Sequence, residues 1–97
     1  MKRIYLYRYT KNFAENKDIA RDLRIRKILP IINSGEDIEI NFSKVKTTTQ
    51  SFIHALISDV IKKRGVDIIN HIYFKKCSDQ VKGIISIVVD YLQDNIS

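Results

Sequence analysis

The most reactive side chains of this chain gather in one short stretch. Four hydroxyl side chains fall within residues 47–51, and His54 follows Ser51 by three positions. On a helix, that spacing lets a nucleophilic hydroxyl and a basic imidazole face each other. No acidic residue nearby completes a catalytic triad, and no carboxylate pair stands elsewhere in the chain. The sequence therefore predicts that the protein is not an enzyme.

A structural role explains part of the same stretch. Thr47 followed by Gln50 matches a capping box, in which side chains satisfy the orphan amides at the start of a helix. From Phe52 onward the apolar residues recur at helical spacing, and Gly65 is the expected stop after a basic last turn. The pattern predicts that a strand ends, a hydroxyl-rich turn follows, and a strongly amphipathic helix begins here.

The remaining residues predict no cofactor and no metal. His54, His71 and the single cysteine, Cys77, are too widely spaced to form a metal site, and the three glycines form no phosphate-binding loop. A lone cysteine cannot form an internal disulfide, which fits a reducing compartment. The chain has no apolar run of membrane-spanning length and no signal-peptide pattern. We therefore expect no membrane contact and a cytoplasmic location.

Length and composition predict one folded α/β domain over residues 1–97. Alternating apolar residues predict strands over 2–9, 37–42 and 71–74, and helical periodicity predicts helices over 17–29, 47–65 and 78–94. This alternating β-α-β-α-β-α order, with right-handed crossovers, predicts a mostly parallel or mixed sheet of three to four strands with about three helices. Because Glu39 and Asn41 alternate with apolar residues, the sheet is expected to be covered mainly on one side, as in a small two-layer sandwich.

Three local signals refine these elements. Asn16 is expected to cap the first helix, Asp22 and Arg26 are expected to form an i,i+4 ion pair, and Pro30 is expected to end or kink the helix. The last helix is apolar beyond one face. Its surplus apolar surface predicts a protein partner or a homodimer.

The stretch over residues 40–56 resembles the STAS-like domain family, which is related in pattern to the anti-sigma factor antagonists. In the wider STAS family a strand is followed by Asp-Ser-Ser-Gly-Leu-Gly at the start of a helix. Aligning Phe42 and Val45 with that pattern brings Thr49 to the aspartate position and Ser51 to the second serine. Phe52 and His54 occupy the two glycine positions.

The resemblance implies a STAS-like fold and a regulatory, protein-binding role in signal transduction. It also implies a partner of the histidine-kinase-type ATPase class and phosphorylation at Ser51. The residues expected to contact the partner or act as a switch are Thr48, Thr49, Gln50, Ser51 and His54, with Ser58 on the adjoining face. A hydroxyl at a helix N-terminus is a favourable place for a phosphate, because the orphan amides and the helix dipole attract negative charge.

Nucleic-acid binding is the alternative function. Seventeen basic against eleven acidic residues give a net charge of +6, which favours anionic partners. The residues expected to serve this role are Tyr5, Tyr7, Arg3 and Arg8 of the first strand, and the basic helix 17–27 with Arg21, Arg24 and Arg26. A competing interpretation is that the tyrosines of the first strand only cover one face of the sheet.

Overall fold

The computed structural model describes residues 1–96, with side chains as far as Asp94. In chain order the elements are β1 (Lys2–Tyr5), α1 (Tyr7–Thr10), β2 (Phe13–Ala14), α2 (Lys17–Leu23), a π-helical turn (Arg24–Ile28), α3 (Leu29–Asn33), β3 (Ile38–Asn41), β4 (Thr47–Thr48), α4 (Gln50–Arg64), a 3₁₀-helix (Val66–His71), β5 (Ile72–Lys75) and α5 (Asp79–Ile96). The predicted α/β class and order of elements are confirmed. Two of the strands and two short helices are additions that the sequence did not predict.

The main sheet has three parallel strands in the order β1-β3-β5, so β3 is central. Ile4, Ile40 and Ile72 lie on one face of these strands and are buried in the core. The same core takes in buried residues of α2, α4 and α5, which cover that face. A second sheet consists only of the short parallel pair β2 and β4. The predicted two-layer sandwich with parallel strands is confirmed.

The opposite face of the main sheet is polar and aromatic. At its centre Glu39 and Asn41 are each only 8% exposed, because side chains of the flanking strands cover them. The Asn41 amide donates to Glu39 Oε2 at 3.1 Å, and Arg3 Nε contacts the same oxygen at 2.7 Å. The Asn41 hydrogen bond first, and then the Arg3 guanidinium, hold the pKa of Glu39 below its ordinary value.

The first strand is shorter than predicted. The expectation of a strand over residues 2–9 is wrong beyond Tyr5, since Tyr7–Thr10 form the short helix α1. Leu6 is completely buried, and its carbonyl accepts hydrogen bonds from the amides of Tyr9 and Thr10. Tyr5 and Tyr7 therefore do not belong to one continuous row of tyrosines on a strand.

The first long helix contains a π-helical turn. Asn16 caps it as predicted, since its side chain accepts from the amides of Asp18 and Ile19. Pro30 does not end it. The amide of Leu29 bonds to the carbonyl of Arg24, five residues back, and the helical path continues as α3. The wider turn makes room for the proline ring, so the helix continues although proline has no amide to donate.

The two long helices follow the predicted periodicity, and their ends are defined by particular residues. Gly65 has a φ of +89° and its amide bonds to Ile61, which confirms the predicted stop of α4. The Ser78 hydroxyl accepts from the amide of Val81 and so caps α5 as predicted. Strand β5 begins at Ile72, one residue later than expected, because the preceding residues form a 3₁₀-helix. Among residues 1–96, no helix is both long and apolar enough to cross a membrane.

Candidate functional site

The loop that leads into α4 is held by contacts from two distant parts of the chain. The hydroxyl of Thr48 donates to the carbonyl of Ala14 at 2.8 Å. The side chain of Gln80 bonds both backbone groups of Thr48, at 2.9 and 3.0 Å. Ser78 donates to the carbonyl of Lys46 at 2.8 Å. The first turn of α4 therefore has a fixed position relative to the start of α5.

The hydroxyls of this loop have structural roles that differ from the predicted ones. Thr49, not Thr47, is the N-cap of α4, and its hydroxyl accepts from the amide of Phe52 at 3.1 Å. The predicted capping box at Thr47 is wrong, because Thr47 and Thr48 pair with β2 as strand β4. Thr48 is only 3% exposed, so its side chain is not at the surface and serves the fold.

Three of the predicted contact residues lie at the surface and face the same groove. Gln50, Ser51 and His54 are exposed on the first turns of α4. Ile87, Val88 and Tyr91 of α5 form the other wall of a groove of about 320 Å³. The rings of His54 and Tyr91 meet edge to face, with centroids 6.3 Å apart. Ser58, which was expected on this face, is buried at 4% exposure and is not part of the groove.

The groove joins two features that the sequence indicated separately. Ile87 is 50% and Tyr91 53% exposed, and both are among the apolar residues that lie outside the core-facing stripe of α5. The surplus apolar residues of this helix therefore lie against the hydroxyl-rich start of α4. The composition of both walls is visible in the sequence, but no sequence signal shows that the two walls are adjacent.

Ser51 is the second residue of α4, where the helix presents amides that have no intrahelical acceptor. Among the residues with described side chains, its hydroxyl bonds neither to His54 nor to a carboxylate. Phe52, which the resemblance aligns with a glycine, is completely buried and leaves the groove open. The geometry therefore suits recognition of Ser51 or addition of a charged group to it.

The possible ligands for a metal are dispersed. Within residues 1–94, no three His, Cys, Asp or Glu side chains lie together in a way that would hold an ion. A pair of such side chains, His71 and Asp37, meets at the amino end of the sheet, with His71 Nδ1 and Asp37 Oδ1 2.7 Å apart. Burial raises the pKa of the Cys77 thiol, which reduces its thiolate fraction at neutral pH.

The arginines expected to bind nucleic acid are mostly engaged with neighbouring acids. Arg3 contacts Glu39, Arg21 contacts Asp18 at 2.9 Å, and Arg26 contacts Asp22 at 2.8 Å, the last as predicted. Arg24 donates to the carbonyl of Ala55 at 2.8 Å and contacts Asp59, and its side chain is only 12% exposed. Arg8 is exposed beside α2, and Tyr7 is half-buried. Four of these five arginines are therefore paired with a carboxylate.

Comparison with known proteins assigns most of the chain to one family. A family model described as a STAS-like domain of unknown function matches residues 20–82, well over half of the chain. The chain belongs to this STAS-like family. The matched region runs from α2 through the Thr49–Ser51 turn to the first turn of α5, so it contains one wall of the groove in full. No curated protein and no solved structure gives a significant match to the chain.

Proposed function

We propose that this STAS-like domain is a regulatory protein-interaction module without catalytic activity. It contacts a protein partner through the groove between the first turns of α4 and the middle of α5. The observation that carries the proposal is the position of the exposed Ser51 beside the exposed Ile87 and Tyr91. An apolar floor with a polar rim is the composition of protein-binding surfaces.

The rigidity of the groove supports this function. Both walls are joined through Gln80 and Ser78, so a partner meets a preformed surface and loses little free energy in ordering it. Tyr91 supplies a large aromatic contact, and His54 and Gln50 supply hydrogen-bonding groups at the edge. The partner class follows from the resemblance to anti-sigma factor antagonists, whose partners are ATPases of the histidine-kinase type.

Ser51 is the proposed switch. A phosphate on this hydroxyl adds nearly two negative charges at the second residue of α4, where orphan amides and the helix dipole stabilise it. The imidazole of His54, one turn further along, can donate a hydrogen bond to it. The same charge lies beside Ile87 and opposes the approach of an apolar partner surface. Phosphorylation would thus release the partner without unfolding the domain.

Affinity capture from the source cell, with matched variants, tests the proposal. Ile87→Asp removes the apolar contact, and Ser51→Asp imitates the phosphate. Ile25→Asp is the control, because Ile25 is 54% exposed, against 50% for Ile87, and lies outside the groove on the π-helical turn. We expect a partner that wild type, Ser51→Ala and Ile25→Asp retain and that the other two variants lose.

The captured protein is then purified and its affinity measured by isothermal titration calorimetry. Equal affinities for the Ile87→Asp and Ile25→Asp variants would contradict the groove as the contact surface. Sedimentation of the purified domain measures its oligomeric state and so tests whether a second copy of the chain occupies the groove. A dimer that Ile87→Asp dissociates would mean that the groove binds a second copy of this chain.

A further inference from the structure

A second surface of the molecule lies on the face of the main sheet that the long helices leave open. Its edge strands present two exposed aromatic rings, Tyr5 on β1 at 48% exposure and Tyr73 on β5 at 37%. In the sheet register Tyr5 and Tyr73 flank Asn41 and Glu39 of the central strand. The two rings therefore stand on either side of a polar centre that is already buried and hydrogen-bonded.

A cationic side chain lies over each of these rings. The guanidinium carbon of Arg3 is 5.7 Å from the centroid of Tyr5, and Lys75 Nζ is 5.8 Å from that of Tyr73. Glu39 is paired with Arg3 and also attracts the charge of Lys75 over a longer distance, so one carboxylate stands against two cations. The face is consequently aromatic and carries a net positive charge.

The positive charge continues along the carboxyl edge of the sheet. The backbone bond from Phe42 to the carbonyl of Lys75 brings the end of β5 beside the end of β3, so Lys76 and Lys44 follow neighbouring strands. Lys44 and Lys11 both lie over the ring of Tyr7, at 5.8 and 5.6 Å.

These lysines differ from the arginines of the predicted nucleic-acid site in their charge balance. Within the part of the chain with described side chains, none of the four lysines at this edge and face forms a salt bridge. A groove of about 280 Å³ lined by Tyr5, Tyr7, Arg8, Ser43 and Lys44 connects the open face to the edge. Tyr5 and Lys44 thus line one groove, and Lys75 lies over Tyr73 on the other edge strand of the same sheet.

We propose that this surface binds single-stranded nucleic acid, independently of the groove between α4 and α5. Bases stack on Tyr5 and Tyr73, and phosphates lie along Lys11, Lys44, Lys75 and Lys76. Exposed aromatic rings beside a basic track are the elements that single strands require, because unstacked bases offer their flat faces. Lysine ammonium groups bind phosphates as point charges without needing the planar geometry of arginine.

Fluorescence anisotropy with labelled oligothymidine and oligouridine of about 12 nucleotides tests the proposal, since single-strand sites span roughly 4–16 nucleotides. We expect an affinity that falls with salt, with a logarithmic slope of about −2 to −3 for three to four contacted phosphates. Tyr5→Leu and Tyr73→Leu should each weaken binding about tenfold at unchanged salt slope. The preferred oligonucleotide then identifies DNA or RNA as the ligand.

A pair of double variants separates the lysines of the edge from overall charge. Lys44→Asn/Lys76→Asn removes two charges at the edge, and asparagine tolerates the positive φ of both positions. Lys62→Gln/Lys63→Gln is the control and removes two charges at the end of α4. The neighbouring Arg64 bonds to Asn33, which precedes β3, so these charges lie at the opposite end of the strands. We expect a reduced salt slope and about tenfold weaker binding for the first double variant alone.

Any one of the following results would overturn the proposal: no complex at low salt, equal losses in both double variants, duplex DNA binding as tightly as single strands, or unchanged binding by both tyrosine variants. Equal competition by polyglutamate would also overturn it, because the surface would then be a general anion site. Circular dichroism of every variant establishes that the fold is kept.

Discussion

The side-chain amide of Gln80 hydrogen-bonds both backbone groups of Thr48, as a neighbouring β-strand would. Its Oε1 accepts from the amide at 2.9 Å, and its Nε2 donates to the carbonyl at 3.0 Å. The two residues are 32 positions apart, and their contact joins the first turn of α5 to the loop before α4. Because the walls of the groove belong to these two helices, this contact links the starts of both walls.

Loss of this contact should destabilise the domain. Gln80→Ala leaves two partly buried backbone groups without a partner, so we expect the free energy of unfolding to fall by about 2 kcal/mol. Gln80→Glu keeps the acceptor but loses the donor, so its free energy of unfolding should lie between those of the wild type and the alanine variant. Urea denaturation measures all three. Gln93→Ala on the exposed side of α5 is the control, with an expected change below about 0.5 kcal/mol.

The N-cap of α4 provides a test of the loop geometry. Thr49→Ala removes the hydroxyl that accepts from Phe52 and should cost about 1 kcal/mol of unfolding free energy. Thr47→Ala should change it by less than about 0.5 kcal/mol, since that hydroxyl makes no capping bond. Urea unfolding of the two variants gives the order directly. The reverse order would mean that the helix begins at the capping box that the sequence suggests.

The depressed pKa of Glu39 predicts a dependence of stability on pH. Its carboxylate is favoured in the folded state by Asn41 and Arg3, so the folded pKa lies below the ordinary value of 4.5. This stabilisation is complete above that value and is lost as the pH falls below it, through the folded pKa. The melting temperature should therefore fall less steeply from neutral to acid pH for Glu39→Gln than for wild type. Identical slopes would mean that Glu39 has the same pKa in both states.

The periodic part of the fold was predictable because it depends on local sequence. The apolar stripe of α4, the Asn16 cap and the Gly65 stop each involve residues within a few positions of one another. The helix α1 was not predictable from periodicity, because the alternation of residues 2–9 continues through it. Strand β4 has only two residues and depends on pairing with Phe13 and Ala14, far away in the sequence.

The candidate site divides in the same way. The exposure of Gln50, Ser51 and His54 follows from the helical phase set by the buried Phe52. The burial of Thr48 follows from its bond to Ala14, 34 residues away, for which no local pattern exists. The lysines of the carboxyl edge each follow a different element, so only the strand order brings them together.

The backbone of this edge carries a final prediction. Lys44 has a φ of +71°, a left-handed conformation that costs a residue with a Cβ more than it costs glycine. Lys44→Gly and Lys44→Ala both lose the ammonium over Tyr7, so their comparison isolates the backbone. We expect the glycine variant to be more stable by about 1 kcal/mol in urea unfolding.

The same pair of substitutions at Lys63 is the matched control. Lys63 lies in the last turn of α4, where alanine favours the helical backbone, so here the alanine variant should be more stable by up to about 1 kcal/mol. The sign of the difference between glycine and alanine should therefore reverse between the two positions. Greater stability of alanine at both would mean that Lys44 does not hold a left-handed conformation in solution. That result would also argue against the position of Lys44 over the ring of Tyr7 at the carboxyl edge.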